Sequence, residues 1–267
     1  MMEDITVRNL DRKILVAGPC VATSLQECVD IAQKVKEAGE KYGFYPIFKA
    51  SFDKANRTSD DSYRGLGMRT CISIFSKLRE LVDIPIITDV HEKEQVNYLK
   101  SFVDYLQVPA FLSRQTDLIH ACAKSGLPTL VKKGQFLSPE ACSYIEKKFY
   151  NSGGKSLMIC ERGTTFGYND LVVDVTSLNR LKKSCPESKI IMDCTHSLQK
   201  PNGIYGKTEG NSEYIEDMVK FASIMNSDGL FIEVHPNPKE SPSDSENILE
   251  LSKLENILDI SRKIYSL

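Results

Sequence analysis

Short β-branched apolar runs alternate with longer amphipathic stretches along the whole chain. The runs that read as strands are Ile14–Ala17, Tyr45–Lys49, Pro85–Asp89, Tyr105–Val108, Thr129–Lys132, Leu157–Cys160, Ile190–Asp193 and Leu230–Val234. Between them, apolar positions recur at helical spacing over Leu25–Ala38, Ser73–Leu81, Glu94–Phe102, Asp117–Ser125, Pro139–Phe149, Val175–Lys183 and Glu213–Met225. A last helix is predicted over Asn247–Ile264. Strands that each lead into a helix imply parallel pairing through right-handed crossovers. An open doubly wound sheet and a closed barrel share this alternation. No glycine-rich dinucleotide motif or phosphate loop follows the first strand, which weakens the nucleotide-binding version of the open sheet.

The strand ends discriminate better. Polar or reactive side chains stand at or just past each C-terminal end: Cys20, Lys49, Asp89 with His91, Gln107, Lys132, Arg162, His196, and Glu233 with His235. Any one of these could simply begin a solvated loop. In a closed barrel they converge on one mouth, where active sites are built. The set favours an α/β fold of a single (β/α)8 TIM barrel over residues 1–267, a length close to the roughly 250 residues such a barrel needs. The connections after the second, sixth, seventh and eighth strands are long and rich in Gly, Ser, Asn and Pro, as ligand-binding loops are.

Composition narrows the function classes. The formal net charge of −2 gives no footprint for nucleic acid or for a polybasic membrane patch, so any anion must be bound by locally placed Lys and Arg. The charged N-terminus lacks the apolar core of a signal peptide, and no apolar run reaches the roughly 18–20 residues of a membrane span. The 8 cysteines contain no CxxC pair and read as reduced, buried thiols of a cytoplasmic protein. Lys49, Lys54, Arg57, Lys132 and Arg162 all fall on strand ends or the loops after them. Acidic residues at those ends are too few to neutralise them all, and an anionic ligand resolves the imbalance. Adjacent Lys132 and Lys133 raise a Schiff-base alternative, against which strand alternation would turn one lysine inward and the other toward the helices. Cys20, His196, Glu233 and Asp244 would suit a divalent ion, although spacing alone does not assemble them, and a lone cysteine at a strand end is usually a small buried hydrophobe.

The segments LVAGPC, FKASFDKANRTS, TDVHE, DYLQVPAFLSRQTDL, VKKGQFLSP, CERGTTFGYNDLVVD, DCTHSLQKPNG and LFIEVHPNP with SDSEN together resemble the 3-deoxy-D-manno-octulosonate 8-phosphate (KDO-8-phosphate) synthases. The KANRTS stretch separates this chain from the related heptulosonate 7-phosphate (DAHP) synthases. The resemblance implies a cytoplasmic homotetramer that condenses phosphoenolpyruvate with D-arabinose 5-phosphate for lipopolysaccharide biosynthesis. It implies that Lys49, Lys54, Lys132 and Arg162 hold phosphoenolpyruvate, with Gln107, Pro109 and Ala110 lining the pocket. Asn56, Arg57 and Ser59 would then bind the sugar phosphate, and Arg114 would reach that of a neighbouring subunit. Asp89, His91 and His196 are the candidates for proton handling, with Lys54 and Asn56 beside them in the catalytic set. Cys20 in GPC marks the metal-requiring class, so Cys20, His196, Glu233 and Asp244 would hold Fe²⁺, Mn²⁺, Co²⁺ or Zn²⁺. Other expectations remain: a related phosphoenolpyruvate–aldose synthase of the DAHP or sialic-acid type, or a non-catalytic phosphate-binding barrel.

Overall fold

Strands form where the β-branched runs lie. The computed structural model describes residues 11–57, 59–168, 170–200 and 209–267. Its barrel strands are β1 (Ile14–Gly18), β2 (Tyr45–Lys49), β3 (Ile86–Asp89), β4 (Tyr105–Val108), β5 (Thr129–Lys132), β6 (Leu157–Glu161), β7 (Lys189–Asp193) and β8 (Gly229–His235). Neighbours pair in parallel in chain order, and β8 returns to β1, with Ile14 opposite Gly229 and Gly18 opposite Glu233. The sheet is therefore a closed barrel without edges. The helices α1 (Leu25–Lys41), α2 (Met68–Val82), α3 (Lys93–Leu99), α4 (Thr116–Ser125), α5 (Ser143–Asn151), α6 (Ser177–Ser184), α7 (Ile215–Ile224) and α8 (Leu254–Tyr265) follow their strands in turn. None of the described helices is long and apolar enough to cross a membrane. All 8 cysteines are buried and free.

Strand alternation sorts the side chains into two cores. Leu15, Phe48, Leu106, Val131, Ile159, Ile190 and Ile232 face outward and pack beneath the helices. Ile14, Val16, Ile47, Ile87, Tyr105, Leu130, Met158, Cys160, Ile191 and Phe231 fill the barrel interior. Two further residues along each strand, the inward parity arrives at Lys49, Asp89, Gln107, Lys132, Arg162, Asp193 and Glu233, all buried. The apolar layers thus end in a layer of charge. On β1 that layer is glycine, because a Cβ at Gly18 would lie 2.1 Å from the Lys49 carbonyl oxygen.

Several predicted helix boundaries move: α2 begins at Met68 and not at Ser73, α1 runs on to Lys41, and α3 stops at Leu99. The last helix begins at Leu254, because residues from Asn247 onward first lay Leu249–Glu250 in parallel beside β8 and then make a 3-10 turn at Leu251–Lys253. The helix predicted from Pro139 starts as a 3-10 turn at Glu140–Cys142 and becomes α5 only at Ser143. The long loop after β6 carries an antiparallel hairpin, Thr164–Phe166 with Asp170–Val172. That after β7 carries another, Gln199–Lys200 with Glu209–Gly210. The loop residues between the two strands of that second hairpin, 201–208, lie outside the described residues.

Gly18→Ala should test the close approach at the top of β1. Backbone, not a flexible side chain, stands in the way, so overpacking should cost about 1–3 kcal/mol of unfolding free energy. Urea denaturation followed by circular dichroism measures it, and an unchanged midpoint would refute the close-packing account.

Candidate active site

The polar layer forms the floor of a cavity of about 200 Å³ at the C-terminal mouth. Its lining includes five cationic side chains, Lys49, Lys54, Arg57, Lys132 and Arg162, and three carboxylates, Asp89, Asp193 and Asp244. That excess of positive charge suits the cavity to an anion. Two of the cations do have carboxylate partners. Lys49 Nζ bonds Glu233 Oε1 at 3.0 Å, and Lys132 Nζ donates to Asp193 Oδ2. Asp193 escaped the sequence reading, although it continues the inward parity of Ile191.

Phe231 supports the two lysines from below. Lys132 Nζ lies 3.1 Å from its ring centroid and Lys49 Nζ 5.7 Å, so the ring's negative face meets both ammonium groups. Lys132 is held as an ammonium partner of Asp193, which does not suit a Schiff-base nucleophile. Lys133 turns the other way, as alternation requires. Its buried Nζ lies 3.3 Å from Glu161 Oε1 and donates to the carbonyls of Leu137 and Gly163.

The remaining cations keep donors for a ligand. Arg162 gives Nη2 to Gln199 Oε1 at 2.7 Å, while its buried Nη1 has no hydrogen-bond partner among the described residues. Arg57 Nη2 is in the same state. Burial lowers the Arg162 pKa, and the charges of Asp193 and Asp244 work against that fall. Lys54 shows the opposite balance: burial disfavours its charge, but Cys20, Glu233, Asp89 and Asp244 outweigh burial and raise its pKa. Unpartnered buried acceptors, Gln107 Oε1, Gln135 Oε1 and Asp89 Oδ1, complete the lining. Asp89 Oδ2 meets His91 Nε2 at 3.2 Å, and the His91 ring stands edge-on to Phe52. Burial opposes ionisation of Asp89, yet His91, Lys49 and Lys54 prevail and depress its pKa.

Three of the four predicted metal ligands come together. Ligand atoms of Cys20, Glu233 and Asp244 lie within 4.8 Å of one another. The Cys20 thiol donates to Asp244 Oδ2 at 3.1 Å and lies 2.9 Å from Ser243 Oγ. Glu233 Oε2 is buried and has no hydrogen-bond partner among the described residues. His196 lies a step outside the group, its Nε2 3.5 Å from Glu233 Oε2. Its Nδ1 meets the Asp193 carboxylate at 2.9 Å, and because an ionised carboxylate only accepts, Nδ1 is the donor in that bond. Burial and the Glu233 charge raise the Cys20 pKa, so a cation would have to displace the thiol proton. One thiol, one imidazole and two carboxylates fit a divalent ion of borderline softness.

Other predicted residues stay apart. Asn56 lines the cavity but is exposed, Ser59 is exposed outside it, and Thr58 between them lies outside the described residues. Pro109 and Ala110, by contrast, line the cavity wall. Arg114 is exposed and away from this cavity, its carbonyl accepting from Lys148. Gln135, Gln199 and Ser243 are additions that no spacing rule singled out.

A family model described as the DAHP synthetase I family matches residues 3–267. A protein of Fusobacterium nucleatum named 2-dehydro-3-deoxyphosphooctonate aldolase is 45% identical over 253 residues, covering 95% of this chain and 90% of its own length. A protein of the same name from Desulfotalea psychrophila is 43% identical over 256 residues, covering 96% and 90% of the two chains. Another from Magnetococcus marinus is 41% identical over 245 residues, covering 92% and 85%.

Asp193→Ala should leave Lys132 as an uncompensated buried charge and cost about 3–5 kcal/mol of stability. Burial opposes ionisation of Asp193, but His196 and Lys132 outweigh it and hold the carboxyl below its usual range. The group therefore contributes stability above the unfolded-state pKa of about 3.9, and that contribution is lost as pH falls through the folded value. Urea midpoints taken from neutral pH downward should fall below about pH 4 in the wild type. The variant's decline should be shallower, and parallel curves would contradict the assignment.

Proposed function

The chain belongs to the DAHP synthetase I family, and on that footing we propose that it condenses phosphoenolpyruvate with D-arabinose 5-phosphate and water. The products are 3-deoxy-D-manno-octulosonate 8-phosphate and inorganic phosphate, and the pathway is KDO and lipopolysaccharide synthesis. The single observation that carries this reading is the mouth cavity itself. Its cations outnumber its carboxylates, and it keeps unpartnered guanidinium donors on Arg57 and Arg162. The relatives' shared name supplies the product class.

Two phosphorylated substrates repel each other, so their approach needs cations fixed in advance. Lys54, Lys132 and Arg162 hold the phosphate and carboxylate of phosphoenolpyruvate, with Gln107, Pro109 and Ala110 shaping the wall. Lys49 acts from beneath, because its ammonium already holds Glu233 and the Cys20 carbonyl at 3.1 Å. Asn56, Arg57 and Ser59 take the sugar phosphate. C3 of the enol forms a bond to the aldehyde carbon, whose oxygen takes up a proton. Water adds to C2, and the C2–O bond to phosphate then breaks. Asp89, His91 and His196 stand where they could move these protons.

A divalent ion, Fe²⁺, Mn²⁺, Co²⁺ or Zn²⁺, would be held by Cys20, His196, Glu233 and Asp244. It would polarise an oxygen or position the water. We further propose a cytoplasmic homotetramer in which Arg114 serves a neighbouring subunit. The exposed Phe111 and Phe136, on the loops after β4 and β5, and Phe166 and Tyr168, in the hairpin loop after β6, support such packing.

Phosphate release should be measured with arabinose 5-phosphate, erythrose 4-phosphate and N-acetylmannosamine, each with and without chelator. Arabinose 5-phosphate should be preferred by about ten-thousandfold or more, the scale at which a built polar site discriminates. Chelator should abolish turnover, and Cys20→Ala should match it. Preference for another aldehyde would move the chain to a sister activity. Tight phosphoenolpyruvate binding without turnover would make it a sensor barrel. Full activity of Cys20→Ala in chelator would remove the metal from the proposal.

A further inference from the structure

Between the anion subsite and the proposed metal group stands one side chain that neither assignment includes. Gln199 follows the 3-10 turn His196–Leu198 at the end of β7, and its backbone pairs with Gly210 in the short hairpin. Its Oε1 accepts from Arg162 Nη2 at 2.7 Å, and its Nε2 donates to Asp244 Oδ1 at 2.8 Å. The partners fix the orientation of the amide. A guanidinium can only donate and an ionised carboxylate can only accept, so the flipped amide would lose both bonds.

What lies beyond each partner gives the bridge its meaning. Arg162 keeps a second, buried nitrogen, Nη1, free for a ligand in the cavity. Asp244 turns its other oxygen, Oδ2, to the Cys20 thiol and the Ser243 hydroxyl. Asp244 also has a φ of 54°, a left-handed backbone that Asp adopts more readily than most residues. The sequence Arg162–Gln199–Asp244 is therefore a continuous hydrogen-bonded series from cation to dipole to anion. It ends in the anion subsite on one side and among the candidate ligand atoms on the other.

We infer that Gln199 couples the two subsites, so that an anion on Arg162 tightens a divalent cation on Asp244, and the cation tightens the anion. The inference rests on the metal and phosphoenolpyruvate assignments proposed above. Its physical content is electrostatic. An uncompensated guanidinium close to Asp244 opposes a second positive charge there. A phosphate or carboxylate on Arg162 removes that opposition, and the amide passes the change on as a shift of one hydrogen-bonded series. Linkage makes the effect equal in both directions. Gln199 is on this account a positioning residue, since its amide groups are taken up by protein partners and not by the reacting atoms.

The test is an equilibrium measurement on the full chain. Mn²⁺ affinity is read from the electron paramagnetic resonance of the free ion, with and without saturating phosphoenolpyruvate. The wild type and two variants, Gln199→Leu and the length-matched Gln199→Met, are compared. Gln199 is only half-buried, so neither replacement leaves a void in the core, and circular dichroism confirms that each is folded. Phosphoenolpyruvate should tighten Mn²⁺ on the wild type by about fivefold or more. In both variants that ratio should fall by more than half, while Mn²⁺ affinity without phosphoenolpyruvate changes less than the ratio does. An unaltered ratio in a folded variant that still binds Mn²⁺ overturns the coupling and leaves the proposed function standing. Absence of Mn²⁺ binding by the wild type overturns both the coupling and the metal assignment.

Discussion

Lys49 and Lys132 sit as ammonium groups on the top apolar layer of the barrel, over the face of Phe231, with almost no access to water. Charges so placed persist only because Glu233 and Asp193 meet them directly. The rest of the mouth depends on these two pairs. The lysines hold the carboxylates ionised against burial, and the ionised carboxylates then orient further groups. Glu233 is bound through Oε1 and so directs Oε2 into the site. Asp193 accepts from Lys132 while also holding the His196 ring and the Thr195 and His196 amides. Removing either lysine would therefore disturb geometry as well as charge.

Much of this was legible in the sequence, because barrel architecture and strand alternation are both local rules. Eight β-branched runs gave eight strands, each within a residue or two of its predicted ends. The period of two also explains why the residue at each strand end points inward. Applied one step further it would have found Asp193, which shares the parity of Ile191, but the neighbouring His196 drew attention as the more obvious ligand. Gln199 and Ser243 were not recoverable that way. Their places depend on how two loops cross above the barrel, and no periodicity in the chain encodes a crossing. The particular pairings were hidden for a similar reason. Glu233 and Asp193 lie two strands round the barrel from Lys49 and Lys132, 184 and 61 residues away in sequence.

The expected substrate-binding set divides by the same reasoning. Residues placed by strands, Gln107, Lys132 and Arg162, reach the cavity directly. Those placed by loops do so unevenly, with Arg57 inside and Ser59 and Arg114 outside it. A strand fixes the direction of a side chain to within its pleat. A loop residue is fixed only by what it packs against, and for Arg114 the proposal places that surface on a neighbouring subunit.

One device recurs around the candidate ligands. Each is gripped by an atom other than the one it would offer to a cation. Lys49 binds the Cys20 carbonyl and Glu233 Oε1, Asp193 binds His196 Nδ1, and Gln199 binds Asp244 Oδ1. Outer contacts of this kind fix ring orientation and carboxylate direction before any ion arrives, so less ordering remains to be done on binding. Three of the four grips come from the barrel strands, through Lys49 and Asp193. Only the Asp244 grip comes from a loop residue, and that residue also accepts from Arg162. The strands thus hold most of the ligand set, while the remaining ligand is the one whose grip leads directly to Arg162. A site assembled this way would respond to its first anionic substrate at Asp244 before anywhere else.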